Sequence, residues 1–232
     1  MQAEDRPIHF SVELIHGPAP LNKEALQKLY FELSQTKAAY DSTDFSNPNQ
    51  ARFYSRRGRR AQSVCILLPD RALLVEEWTD VPMSSFLERV SEVGPRLLPA
   101  RGAKDYLMHS CTIRSTFALT HWDDARAFIV DHVCSQEGRV VFHFRRPLGV
   151  GGLRFVLPET NEHPGTLHVA IESFRHSQNE VFVEVKGIFG RRRIAANDVD
   201  LVIENIKMVR AFITAHVHPF LNQYDTPREE AE

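Results

Sequence analysis

Strand-length segments follow one another in series in this 232-residue chain, and that arrangement constrains the fold more than any single motif. Residues 51–56, 62–68 and 71–78 form one set, and residues 139–145, 153–157, 166–174 and 180–188 form a second. A parallel pair needs a crossover of a dozen or more residues, usually a helix, whereas strands joined by turns such as Pro69-Asp70 pair antiparallel. Helical spacing is confined to the ends of each set. Leu26, Leu29, Tyr30 and Leu33 fall at i, i+3, i+4 and i+7, and Phe86, Val90, Val93 and Leu97 make a second stripe. Val199, Val202, Ile203, Ile206, Val209, Phe212, Ile213 and Val217 make the strongest one, on a helix about 30 Å long. The expected class is α+β, with mostly antiparallel sheets and a long C-terminal helix.

The layout repeats. Residues 7–16 put Ile8, Phe10, Val12 and Leu14 on one face of a strand, and a helix over about 21–36 follows. Residues 105–119 open the second half in the same way, with Thr120 as the cap of a helix running to about 134. Two similar β-α-β-β-β-α modules are expected, over 1–100 and 101–232. The competing arrangement is one integrated sheet gripping the C-terminal helix. Residues 40–50 (YDSTDFSNPNQ) read as a loop, and Ser85 to Glu88 as a capping box. Gly94-Pro95 should bend or end the second helix early. The last helix should start at Asn197 and stop before Pro219, with a frayed tail from Asp225.

Twenty-eight basic and thirty acidic side chains give a net charge of −2, so no global positive field draws in nucleic acid or an anionic membrane. Cys65, Cys111 and Cys134 are an odd number without C-x-x-C spacing, which argues against a disulfide framework and a structural zinc site. The first seven residues lack an apolar h-region and no run of eighteen apolar residues occurs, so a cytoplasmic location without a membrane span is expected. No cofactor and no metal are expected. The eleven histidines hold no HExxH, and His109, His143 and His168 lie on separate expected strands. His109 and Cys111 share a strand face without a third group, and Gly149, Gly151 and Gly152 lack the lysine of a phosphate loop.

Two constellations bear chemistry. In VFVEVKG, Glu184 and Lys186 share a strand face, as a metal-dependent nuclease requires, and Glu172 is the acidic candidate on a neighbouring strand. The plainer reading is a charge pair on a solvated face. Three arginine clusters hold nine of the 28 basic residues: Arg56, Arg57, Arg59 and Arg60; Arg145 and Arg146; and Arg191, Arg192 and Arg193. Gathered on one rim they would bind phosphates or a partner; dispersed, they are charged turns that discourage edge association.

The segment YSRRGRRAQSVCILLPDRALLVEEWTDVP (Tyr54–Pro82), the helix start SSFLERV and the strand YLMHSCTIRSTFAL resemble the central block of a sporadically distributed, uncharacterised prokaryotic family. VFVEVKGIFG and the helix NDVDLVIENIKMVRAFITAHV resemble its C-terminal end, although that family's final strand lacks a lysine like Lys186. The resemblance implies the fold and a setting such as phage defence or toxin neutralisation. It transfers no catalytic residue.

These readings converge on a non-enzymatic binding or adaptor protein with a protein partner. An interface would be built from apolar edge residues and the arginine-bearing turns. Nucleic acid through the arginine clusters is the second option, and self-association is left open. The nuclease built on Glu172, Glu184 and Lys186 and a hydrophobic-ligand carrier with a cavity under the C-terminal helix are the competing functions.

Overall fold

The computed structural model describes residues 5–58, 60–78 and 81–227. The first half runs β1 (Asp5–His16), α1 (Lys23–Ser34), β2 (Ser42–Asn47), β3 (Gln50–Arg57), β4 (Ala61–Leu67), β5 (Arg71–Glu77) and α2 (Met83–Arg101). The second begins with β6 (Asp105–Ala118) and the short helix α3 (Ala125–Ala127), which widens into a π turn over Phe128–Val133. Then come α4 (Arg139–Phe144), β7 (Gly152–Leu157), β8 (Thr166–Ser173), β9 (Glu180–Phe189) and β10 (Ile194–Ala195). It closes with α5 (Asp200–Phe212), a π turn over Ile213–Val217 and α6 (His218–Asn222).

All ten strands join one sheet in the order β2-β3-β4-β5-β1-β6-β9-β8-β7, with β10 on the start of β6. Every ladder is antiparallel. The opening strands β1 and β6 lie side by side at the centre, from Asp5 opposite Phe117 to His16 opposite Tyr106. Each half leaves this seam alike: its opening strand, then its last long strand, then the others in reverse chain order.

The period-two pattern sends one face of this sheet into a single core. Phe10, Val12 and Leu14 of β1 and Val181, Val183 and Val185 of β9 are buried there. α1, α2 and α5 cover that face: Phe86 of α2 stacks on Phe10 at 5.7 Å, and Val202, Ile206 and Val209 of α5 are fully buried. α5 lies flush on β9, because a Cβ at Gly187 would fall 2.7 Å from Val209. Among the described residues no helix is long and apolar enough to cross a membrane.

Several local expectations fail for physical reasons. Residues 42–47 form β2 rather than a loop, because Phe45 packs on Phe53 at 6.2 Å and pairing with β3 overrides the polar composition. Residues 139–144 form α4 rather than a strand. Gly138 at φ +77° and Arg145 at φ +54° turn the chain at its two ends, and no strand lies alongside to supply a ladder. α2 continues through Pro95 and Pro99, held by the buried side chains Val90, Val93, Leu97 and Leu98, and starts at Met83, ahead of the expected capping box. The last helix likewise continues past Pro219 to Asn222, and its helical run begins at Asp200 after a 3-10 turn. The cap of α3 is Asp124, four residues after Thr120. Of the tail expected to fray, residues 228–232 lie outside the described residues, and Asp225 is held: its carboxylate accepts the backbone N–H groups of Thr120 and His121 at 2.7 and 2.9 Å.

Candidate interaction surface

The other face of the sheet carries no helix among the described residues. Its side chains are the alternate set, including Val64, Ile66, Leu73 and Val75 from the first half and Phe182 and Ile188 from the second. Charges interleave with them and pair. Arg71 bonds Glu13 at 2.6 Å and Asp70 at 2.8 Å, Arg114 bonds Glu184 at 2.6 Å, and Gln62 donates to Glu77 at 2.7 Å. The ion pairs Arg71–Glu13 and Arg114–Glu184 join neighbouring strands and cancel there, while Glu77 is held by a neutral amide. His9, near the seam, is bonded to Ser11 at 3.0 Å; burial, helped by nearby Arg114, pushes its pKa down to about 4.

One end of this face is crossed by a chain of rings. Phe182 stacks on Phe174 at 6.2 Å, Phe174 meets His176 at 5.3 Å, and His176 meets Trp78 at 5.7 Å. The Arg60 guanidinium caps the chain, 5.4 Å from the Trp78 ring centre. Phe182 and Trp78 come from opposite halves, with β1 and β6 between their strands, so the chain ties the halves together.

The three nuclease candidates share this open face. Glu172 is opposite Phe182, and Glu184 and Lys186 are opposite Ala170 and His168. The carboxylates are engaged by cations: Glu184 by Arg114, and Glu172 by Arg154 at 3.1 Å. Among the described residues no group of three or more His, Cys, Asp or Glu side chains is placed to hold a metal ion. His109 lies on the core side with Asn205 of α5 3.0 Å away, His168 is on the opposite face and His143 is in α4, so these histidines do not meet. Burial pushes the Cys65 and Cys111 thiols up to about 12, which leaves them unreactive packing groups. The space beneath α5, where an apolar ligand would sit, is filled by Val202, Ile206, Val209 and Ile213.

The register separates the arginine clusters. Arg56, Arg57 and Arg60 sit at the β3–β4 turn, the end of the sheet that holds Glu77, Ala118 and Glu180. Arg191, Arg192 and Arg193 follow Phe189 at the opposite end, on the order of 25 Å away from strand rise and spacing. Arg191 pairs with Glu159 at 2.8 Å, Arg192 with Asp198 at 3.7 Å and Arg193 with Asp105 at 3.4 Å. Arg145 and Arg146 lie beyond α4 on an exposed excursion, and Arg59 falls outside the described residues. No common rim forms.

That excursion is the feature sequence reading missed. Phe142 is 86% exposed, Phe144 69% and, on β7, Val156 60%. Its signal was present in the chain: residues 138–158 hold four arginines and three phenylalanines but no acid.

No protein-family model matches the chain, and no curated protein matches it. Among solved structures, the regulatory subunit of aspartate kinase from Thermus flavus is similar over 90% of this chain and 97% of that one, at 11% identity and a TM-score of 0.25. A likeness of that size carries no argument, and the fold rests on its own strand order.

Proposed function

We propose that this is a non-enzymatic binding protein whose uncovered sheet face receives a protein partner. One observation carries the reading: half of a ten-stranded sheet's side chains face away from every helix, and they form apolar rows between paired charges. Sheets with one buried face normally expose a polar second face. Here Val64, Ile66, Leu73 and Val75 stand on β4 and β5 where polar residues would be expected. The paired charges suit a nearly neutral, apolar protein surface better than a polyanion, which needs a net positive face. Three unbridged cysteines fit a reducing compartment.

The test is affinity purification from the native host with the full chain, beside the open-face variant Leu73→Glu and the helix-side control Lys28→Glu, followed by reconstitution with each purified candidate. A partner that binds the parent and the control, and binds Leu73→Glu at least about tenfold more weakly, supports the reading. A partner indifferent to Leu73→Glu, or turnover of a substrate by the purified chain, overturns it.

A further inference from the structure

The sheet has two free edges, and they are built oppositely. β2, at one end, has the polar sequence STDFSN and loses register between Asp44 and Asn47, features that blunt an edge against pairing. β7, at the other, is GLRFVL; it keeps register with β8 throughout and, among the described residues, pairs with no other strand. Phe155, Val156 and Leu157 are exposed on it. Of the eight large hydrophobic side chains exposed among the described residues, six lie within 141–157, on β7 and on the α4 excursion that precedes it in the chain.

We infer that β7 is a docking edge that takes an extended, acidic and apolar segment of a partner protein by strand addition. Four strands separate this edge from β5 and Leu73, so a segment docked there leaves that part of the open face free, and the protein would join two partners, as an adaptor does. The main chain asks for a strand: an edge leaves a row of N–H and C=O groups that another strand satisfies, while alternate side chains provide specificity. The charge asks for acid. Residues 138–158 carry four arginines and no Asp or Glu; Arg139 and Arg154 pair with Glu137 and Glu172, whereas Arg145 and Arg146 form no ion pair among the described residues.

The same facts disfavour the other occupants. A second copy paired edge to edge about a two-fold axis would set one basic segment against the other. A lipid surface would accept Phe142 and Phe144 but leave the backbone groups of β7 without partners. Single-stranded nucleic acid would stack on Phe142 and Phe144 but, like a lipid, would leave the row of β7 N–H and C=O groups without a strand to pair with.

A displayed library of short random peptides, panned on the full chain, tests this directly. Enriched peptides should alternate apolar residues and carry Asp or Glu. Synthesised, they should bind saturably, lose affinity with salt, and slow amide hydrogen exchange within 153–157. Arg145→Glu/Arg146→Glu and Phe142→Ser/Phe144→Ser should each weaken binding by at least about tenfold, with circular dichroism reporting that both variants fold. Leu73→Glu should leave peptide binding unchanged, which separates this edge from the open-face reading. Enrichment of neutral or basic peptides overturns the inference. So do protection outside β7, binding only to phosphatidylserine vesicles or oligonucleotides, or self-association lost in the Phe142→Ser/Phe144→Ser variant.

Discussion

Trp78 and His176 touch across the seam between the two halves, their ring centres 5.7 Å apart. Trp78 closes β5 and His176 lies in the turn between β8 and β9, so the contact joins segments nearly a hundred residues apart in the chain. Trp78 holds φ at +48°, a left-handed conformation that bulky residues avoid. The neighbours that hold it there are His176 and Arg60. Trp78→Ala should cost about 1–2 kcal/mol, and a cycle with His176→Ala should return a coupling of about 0.5–1 kcal/mol, read by urea denaturation. Additive single mutants would mean that the contact does not tie the halves.

Acid should weaken the fold through two histidines. Burial lowers His9 and His109 to about 4 from 6.5. Below pH 6.5 the unfolded chain takes up a proton at each site that the folded chain refuses, so this contribution is complete above pH 6.5 and is lost as pH falls towards 4. At about 1.4 kcal/mol per pH unit, each histidine should remove up to about 3 kcal/mol across that window. His109→Gln should flatten the unfolding free energy against pH by one histidine's share. An unchanged slope would place the acid sensitivity elsewhere.

The core holds one ion pair whose halves depend on each other. Glu76 of β5, 2% exposed, is bound by Arg89 of α2 and accepts from Ser63 at 2.6 Å, while Tyr40 lies 5.1 Å from the guanidinium. Arg89→Leu alone leaves a buried carboxylate and should cost about 3–5 kcal/mol. Glu76→Leu/Arg89→Leu should cost clearly less, because both charges leave together. Thermal denaturation of the three proteins orders them, and a double variant worse than the single one would reverse the assignment.

Seating α5 on the sheet depends on a missing side chain. A Cβ at Gly187 would fall 2.7 Å from Val209 and from the Phe189 ring. Gly187→Ala should therefore cost about 1–3 kcal/mol by overpacking, and adding Val209→Ala should recover part of that loss. Denaturation midpoints showing no recovery would locate the clash at Phe189 instead.

Arrangement along the chain was legible wherever a short-range rule ruled. Period-two runs such as 180–188 and stripes such as Val202, Ile206 and Val209 became β9 and α5 because burial acts on each residue's own side chain. The α+β class and antiparallel pairing followed from helix-free series of strands. Polarity misled at 42–47, where Phe45 found Phe53, and alternation misled at 139–144, where no neighbouring strand existed; partners in space decided both.

The candidate surfaces needed tertiary structure for the same reason. Glu184 and Lys186 share a face by local geometry, and the chain alone showed that; only the register put Arg114 against Glu184. The arginine clusters look equivalent in the sequence, yet the fold sends two to opposite ends of the sheet and leaves Arg145 and Arg146 on the exposed excursion between α4 and β7. Side-chain alternation and hydrophobic spacing are properties of neighbours in the chain, so the amino-acid order by itself determined the elements and their buried faces. Which strand ends at an edge, which face stays uncovered and which charges meet depend on contacts between residues a hundred positions apart, and only the folded sheet decides those.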